Sequence, residues 1–227
     1  MAMVSKKLMG VWAFLDFCLL AAGIVALVLS LVWRKTDIMM NMVLSNADLT
    51  AGTILGIALL VTFALSIGAI VQPNHVTIGL VILNWALIAD ALGIVVIGTF
   101  VWFFTLRERA NFHDLWLQAS DQTRITLQDK LSCCGYFSGL DKAVIGGTHC
   151  TSVEFVQSLN LAQEANFCVA PITKFADTTL NNIFTTVYGF MAVVICLFLA
   201  SLCVIKKRQE AERFKKIDAK RGGRGFV

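Results

Sequence analysis

Cysteine supplies most of the reactive chemistry in this sequence. Cys133, Cys134, Cys150 and Cys168 fall in one polar stretch, whereas Cys18, Cys196 and Cys203 lie in long apolar runs. In an oxidising compartment an even set of cysteines implies disulfides, each adding roughly 2–4 kcal/mol to a small domain. The four clustered residues allow three pairings. As neighbours, Cys133 and Cys134 project in different directions and are expected to take one distant partner each, which leaves the choice of partner open. His149 beside Cys150 raises the idea of a metal site or a Cys/His nucleophile. Neither is expected, because Cys-x-x-Cys and His-x-x-x-His spacings are missing and an oxidised cysteine cannot act as a nucleophile. No Gly-rich phosphate loop or Ser/His/Asp arrangement stands out, so no enzymatic activity and no resident cofactor are expected.

A second set of polar residues sits where polarity is costly. Asp16, Ser66, Asn84 and Asp90 lie inside apolar runs. At about 1.5 Å per helical residue, Asp16 would lie roughly 10 Å deep and Asn84 roughly 12 Å deep from the same boundary. Ser66 and Thr62 would lie at comparable depth. An interhelical cluster of Asp16, Ser66 and Asn84 that fixes helix register is therefore expected, with Asp90 nearer the level of Tyr188. Gly52 and Gly56 form a small-xxx-small pair suited to packing within a bundle, with a dimer face as the other use of such a pair. Cys203, three residues before Lys206, stands where S-palmitoylation is plausible.

The elements that position these groups follow from composition. Of 227 residues, 57% are apolar and only 15% charged, well outside soluble usage. The apolar residues fall in four runs, 8–33, 51–71, 76–104 and 183–205, each long enough for a membrane that needs about 20 helical residues. The first run is too long for a signal-peptide core and is read as an uncleaved span. Lys6 and Lys7 precede it, and the 206–227 tail holds nine Lys or Arg, including Lys206, Lys207, Arg208 and Arg221, against Glu210, Glu212 and Asp218. Both termini are therefore expected in the cytosol. The 34–50 connection then becomes a small outer loop, 72–75 a tight inner turn, and 105–182 a large outer domain. The fold class expected is an all-α membrane protein: four transmembrane helices and a small, disulfide-stapled helical extracellular domain. Within that domain the third span is expected to continue outward as an amphipathic helix. Thr151 and Glu154 have capping-box spacing, and Pro171 could open a last helix leading into the fourth span.

With these features in place, the sequence resembles the tetraspanin family over nearly its whole length. The resemblance is carried by Cys133-Cys134-Gly135, the two later cysteines, the small-then-large order of outer loops and the short inner turn. It implies that Cys133 pairs with Cys168 and Cys134 with Cys150, that Gly135 lets the chain turn sharply, and that the 136–167 segment recognises partners. The sequence departs from the family in having Gly146-Gly147-Thr148-His149 where many members place a proline before the third cysteine, and in lacking any Asn-X-Ser/Thr sequon. The stretch from Lys7 through Leu8, Gly10, Val11, Trp12 and Asp16, with the four-cysteine domain, is most similar to fungal tetraspanins associated with appressorium-mediated host penetration.

What the resemblance implies for function is a plasma-membrane organiser that is not an enzyme. It would bind other membrane proteins laterally, a membrane oxidase complex among them, cluster them with membrane lipids, and be able to self-associate. Nucleic acid is not an expected partner. A sterol or other lipid within the bundle, against the apolar spans and the Asn84 region, is compatible with the sequence. The alternative from another class is an ion channel or transporter subunit using Asp16, Asn84 and Asp90, although inverted repeats and broken helices are not visible. A junction-forming protein of the claudin kind would need a long first outer loop bearing cysteines, and 34–50 has none.

Overall fold

A computed structural model describes residues 6–35, 37–72 and 76–220, with the backbone alone for Lys6. Residues 73–75 of the expected inner turn and Arg221 of the tail lie outside the described residues. Among the described residues the protein is all-helical, in the order α1 (Lys6–Val32), α2 (Ile38–Val43), α3 (Asn46–Val71), α4 (Ile78–Leu106), α5 (Glu108–Gln118), α6 (Asp121–Leu131), α7 (Val153–Ser158), a 3-10 turn (Glu164–Asn166) and α8 (Val169–Lys220). Four helices, α1, α3, α4 and α8, are long and apolar enough to cross a membrane. In hydrocarbon a helix satisfies its backbone groups within the segment itself, which makes it a viable span.

Helix boundaries are set by local chemistry that the apolar runs alone do not show. α3 begins ahead of its apolar run because Ser45 and Asp48 form a reciprocal cap: the Asp48 N–H donates to Ser45 Oγ at 3.2 Å and the Ser45 N–H to Asp48 Oδ2 at 3.0 Å. The single amphipathic helix expected beyond the third span is instead two. The Asn111 side chain donates to the Phe104 carbonyl at 3.2 Å, satisfying one of the last acceptors of α4. Farther on, extended Ala119 and Ser120 interrupt the chain, and Ser120 Oγ caps α6 by accepting from the Thr123 N–H. The α7 cap falls one residue later than the sequence suggests, on Ser152, whose extended backbone lets its hydroxyl accept from the Phe155 N–H at 3.2 Å. Pro171 sits inside the first turn of α8, where its missing N–H costs nothing, and the helix runs on unbroken for 52 residues.

The chain divides into two compact units. One comprises Met1–Ser30, Ala51–Ile97 and Val187–Val227, the other Leu31–Thr50 and Gly98–Thr186. In the first, α1 and α3 approach backbone to backbone. A Cβ added at Gly56 would lie 2.7 Å from Leu27 Cγ, 3.0 Å from the Leu27 amide nitrogen and 3.1 Å from the Gly23 carbonyl oxygen. Gly52 meets the Ser30 side chain in the same way, so this small-residue pair faces α1 of its own chain. Gly56→Val should lower the thermal midpoint in detergent by an amount equivalent to roughly 1–3 kcal/mol, the usual cost of overpacking. Gly10→Val, where an added Cβ meets nothing within 4 Å, should leave it unchanged.

Candidate functional site: a disulfide-stapled surface

The second unit is organised around one apolar core. Phe112 and Trp116 of α5, Leu127 of α6 and Ile172, Ala176 and Leu180 of α8 pack with Met39 and Val43 of α2, Leu44 just after it and Leu49 of α3. Lys130 reaches Asp37 at 3.1 Å, adding an exposed ion pair between α6 and the α2 cap. The backbone N–H of Met39 also donates to Asp37, and these bonds hold the Asp37 carboxyl below the usual carboxylate range, Lys130 contributing most.

Both cysteines of the adjacent pair are fully buried and bonded in divergent directions. Cys133 joins Cys168 and Cys134 joins Cys150, with Cα separations of 5.0 and 5.9 Å. Cys133 and Cys168 belong to the main core; Cys134 and Cys150 form a second, smaller one with Val156. Gly135 makes this geometry possible. Its φ of +70° is left-handed, and a Cβ there would run into the Ser138 carbonyl oxygen. The turn lets 134–136 lie beside 166–169, with Cys134 N–H donating to Asn166 O at 3.0 Å, Cys168 N–H to Gly135 O at 2.9 Å and Val169 N–H to Tyr136 O at 3.2 Å.

Around Cys150 the chain forms a glycine turn. Gly146 has a φ of +119°, its N–H donates to the Cys150 carbonyl at 3.2 Å, and a side chain on Gly147 would collide with the Asp129 carboxylate. That carboxylate accepts from the His149 N–H at 2.9 Å and is held low chiefly by this bond. Buried Gln128 fastens the same loop at two points, accepting from Val144 N–H at 3.0 Å and donating to Val144 O at 3.1 Å. Sequence reasoning missed Gln128, Asp129 and Asp141. Asp141 pairs with His113 at 3.0 Å and also accepts the Phe137 N–H at 3.1 Å, closing the first turn of the segment.

On this scaffold the 137–165 stretch leaves large apolar side chains bare: Leu140 is 83% exposed and Leu161 72%, and Phe137, Val153 and Phe155 are also exposed. The ends of the 136–167 segment behave differently. Tyr136 and Phe167 are core residues, and the Tyr136 hydroxyl donates to the Arg109 carbonyl at 2.9 Å.

Of the polar residues in the long apolar helices, Asp16 lies near Ser66 and Asp90 near Thr62, one turn away on α3, but Asp16 Oδ1, Ser66 Oγ and Asp90 Oδ2 are buried without a hydrogen-bond partner among the described residues. Asn84 accepts a hydrogen bond from Ser201 of α8, a partner not foreseen; no hydrogen bond joins it to Asp16 among the described residues, so the expected trio of Asp16, Ser66 and Asn84 is not assembled by direct bonds. The reason lies in α8, which supplies a hydroxyl buried opposite Asn84. Of the unbonded cysteines, Cys203 is exposed and so is Cys196, although Cys196 lies farther from the basic tail; Cys18 is half-buried. Compared with protein-family models, curated proteins and solved structures, the chain matches none.

Glu108, at the start of α5, carries a buried carboxyl oxygen without a hydrogen-bond partner. Burial first, and then the nearby Asp177 carboxylate, push it up to about 7. The folded protein therefore holds this proton more tightly than the unfolded chain. The resulting stabilisation is complete below about 4.5 and is lost as pH rises through about 7. Glu108→Gln should flatten the pH dependence of the thermal midpoint across that window. At pH 8 it should stabilise the protein by ~1 kcal/mol, solvent screening much of the effect at this partly exposed group.

Proposed function

We propose that this chain is a tetraspanin-like membrane organiser, with four helices spanning the plasma membrane, both termini in the cytosol, and the stapled unit outside the cell as the surface that gathers other membrane proteins. The observation that carries this reading is the set of bare apolar side chains on 137–165, held on a rigid frame by two disulfides and by Gln128 and Asp129. Exposed apolar groups on a preorganised surface gain burial on docking at little entropic cost. The excess of Lys and Arg in the tail supports the orientation. Exposed Cys203, close to that tail, supports lipidation that would bias lateral clustering.

On the likeness to fungal tetraspanins, the partners would serve polarised growth through a host barrier, a membrane oxidase complex among them. In this reading the Asn84–Ser201 hydrogen bond ties α4 to α8, such a contact being worth about 0.6–2 kcal/mol in a membrane. No enzymatic step is assigned.

Because Tyr136 and Phe167 are buried, exchanging the whole 136–167 segment would break the core along with the surface. The discriminating variant is Phe137→Ser with Leu140→Ser and Leu161→Ser. Quantitative co-isolation in mild detergent should lose a discrete set of membrane proteins in this variant while both disulfides and expression are retained. An unchanged set would place recognition in the spans or tail; ion flux through the purified protein in liposomes, lost on Asp90→Leu, would favour the channel reading instead.

A further inference from the structure

Arg208 follows the last apolar run by three positions, where a cation would ordinarily point into water. It is instead 4% exposed. Its Nη1 donates to the Val76 carbonyl at 3.2 Å, two residues ahead of the first residue of α4, so the guanidinium lies against the N-terminal end of a 29-residue helix. Its Nε is buried without a hydrogen-bond partner, and among the described residues no carboxylate pairs with it. Glu210, the nearest acid in sequence, is engaged by Lys207 at 2.8 Å.

This arrangement is electrostatically incomplete. A guanidinium stays charged at any physiological pH and offers five donors in a planar fork. A desolvated cation costs several kcal/mol unless an anion lies beside it. The helix end adds partial positive charge rather than relieving it. Gln72 Oε1 accepts from the Gly79 N–H at 3.2 Å, a neutral contact that satisfies one first-turn amide without supplying any negative charge. Among the described residues, the helix ends on either side of this connection carry bare apolar side chains: Val71, the last residue of α3, and Ile78, the first of α4, are 76% and 64% exposed. A group that completes this site must bring an oxyanion to Arg208 and hydrocarbon to Val71 and Ile78.

We infer that the ends of α3, α4 and α8 bind the phosphate of one anionic phospholipid, with Arg208 as its principal donor and the acyl chains against Val71 and Ile78. The site rests on the reading of these helices as membrane spans. It differs from the general attraction of a basic tail, which exposed Lys206 and Lys207 would provide wherever they stood. Inorganic phosphate shares the oxyanion chemistry but cannot use the apolar flank.

The test reconstitutes the full chain in phosphatidylcholine vesicles containing a minor share of phosphatidylserine, re-extracts it in mild detergent and counts retained lipids by native mass spectrometry. Wild-type protein should retain phosphatidylserine in preference to phosphatidylcholine. The preference should fall about tenfold in Arg208→Gln, a loss of ~1.4 kcal/mol, and persist in Lys206→Gln/Lys207→Gln. Ile78→Glu, at an exposed position that the fold does not need, should also abolish it by placing a carboxylate beside the guanidinium, which keeps the test valid if Arg208→Gln does not fold. The site is overturned if folded Arg208→Gln or Ile78→Glu retains the preference, or if the preference is lost with the two lysines instead. Displacement of the lipid by millimolar inorganic phosphate would overturn the phospholipid in favour of a free anion. A chain that fails to float with the vesicles would overturn the spanning reading itself, and this site with it; a floating chain that shows no preference overturns the site alone.

Discussion

Two sulfur bridges leaving one dipeptide in divergent directions are the constraint on which the stapled unit depends. Cys133 must enter a core made by α5, α6 and α8, while Cys134, one residue later, must enter a separate core with Cys150 and Val156. Only a sharp reversal after the pair satisfies both, and Gly135 supplies it with a left-handed backbone that would strain any other residue. From that reversal follow the backbone bonds between 134–136 and 166–169, the burial of Tyr136 and the anchoring of α8 at its first turn. A stretch of chain too short to build its own core can then carry bare apolar residues without collapsing onto them.

In the other unit, apolar burial cannot distinguish neighbouring helices if the surroundings are themselves hydrocarbon, so packing and sparse polar contacts must do so. The backbone approach at Gly23 and Gly56 brings α1 to α3, Asp16 and Asp90 lie near Ser66 and Thr62 of α3 with carboxyl oxygens left unbonded, and the Asn84–Ser201 hydrogen bond connects α4 to α8. No basic residue occurs in any of the four apolar runs, so neither acid finds a counter-charge there. The Asn84–Ser201 hydrogen bond is the directional contact between α4 and α8, made without a salt bridge.

The long helices are legible because run length and composition report directly on what the backbone requires in hydrocarbon. Their ends are less so. The Ser45/Asp48 cap is present as a pattern that starts α3 earlier, whereas the junction of α4 with α5 is bridged by the Asn111 side chain reaching Phe104, which spacing does not reveal, and the split between α5 and α6 turns on extended Ala119 and Ser120. The residues of the Cys-Cys-Gly motif identify the staple, but its pairing came from family likeness, since spacing left the partners open. Gln128 and Asp129 read as ordinary helix-surface residues, and Ser201 as a small residue in a span; their roles arise only when distant segments meet. Arg208 is the sharpest case. Every sequence rule places such a residue in solvent, and its burial follows from packing against the chain just ahead of α4.

The proposed function turns on sidedness, and it requires the stapled unit outside and the basic tail inside. Ala162→Thr creates a glycosylation sequon at exposed Asn160, next to Leu161 in the proposed recognition surface. Expressed in a eukaryotic cell, this variant should acquire a single glycan removable by endoglycosidase, whereas a sequon appended after Val227 should remain unmodified. A glycan on the appended sequon and none at Asn160 would invert the protein in the membrane and contradict the account.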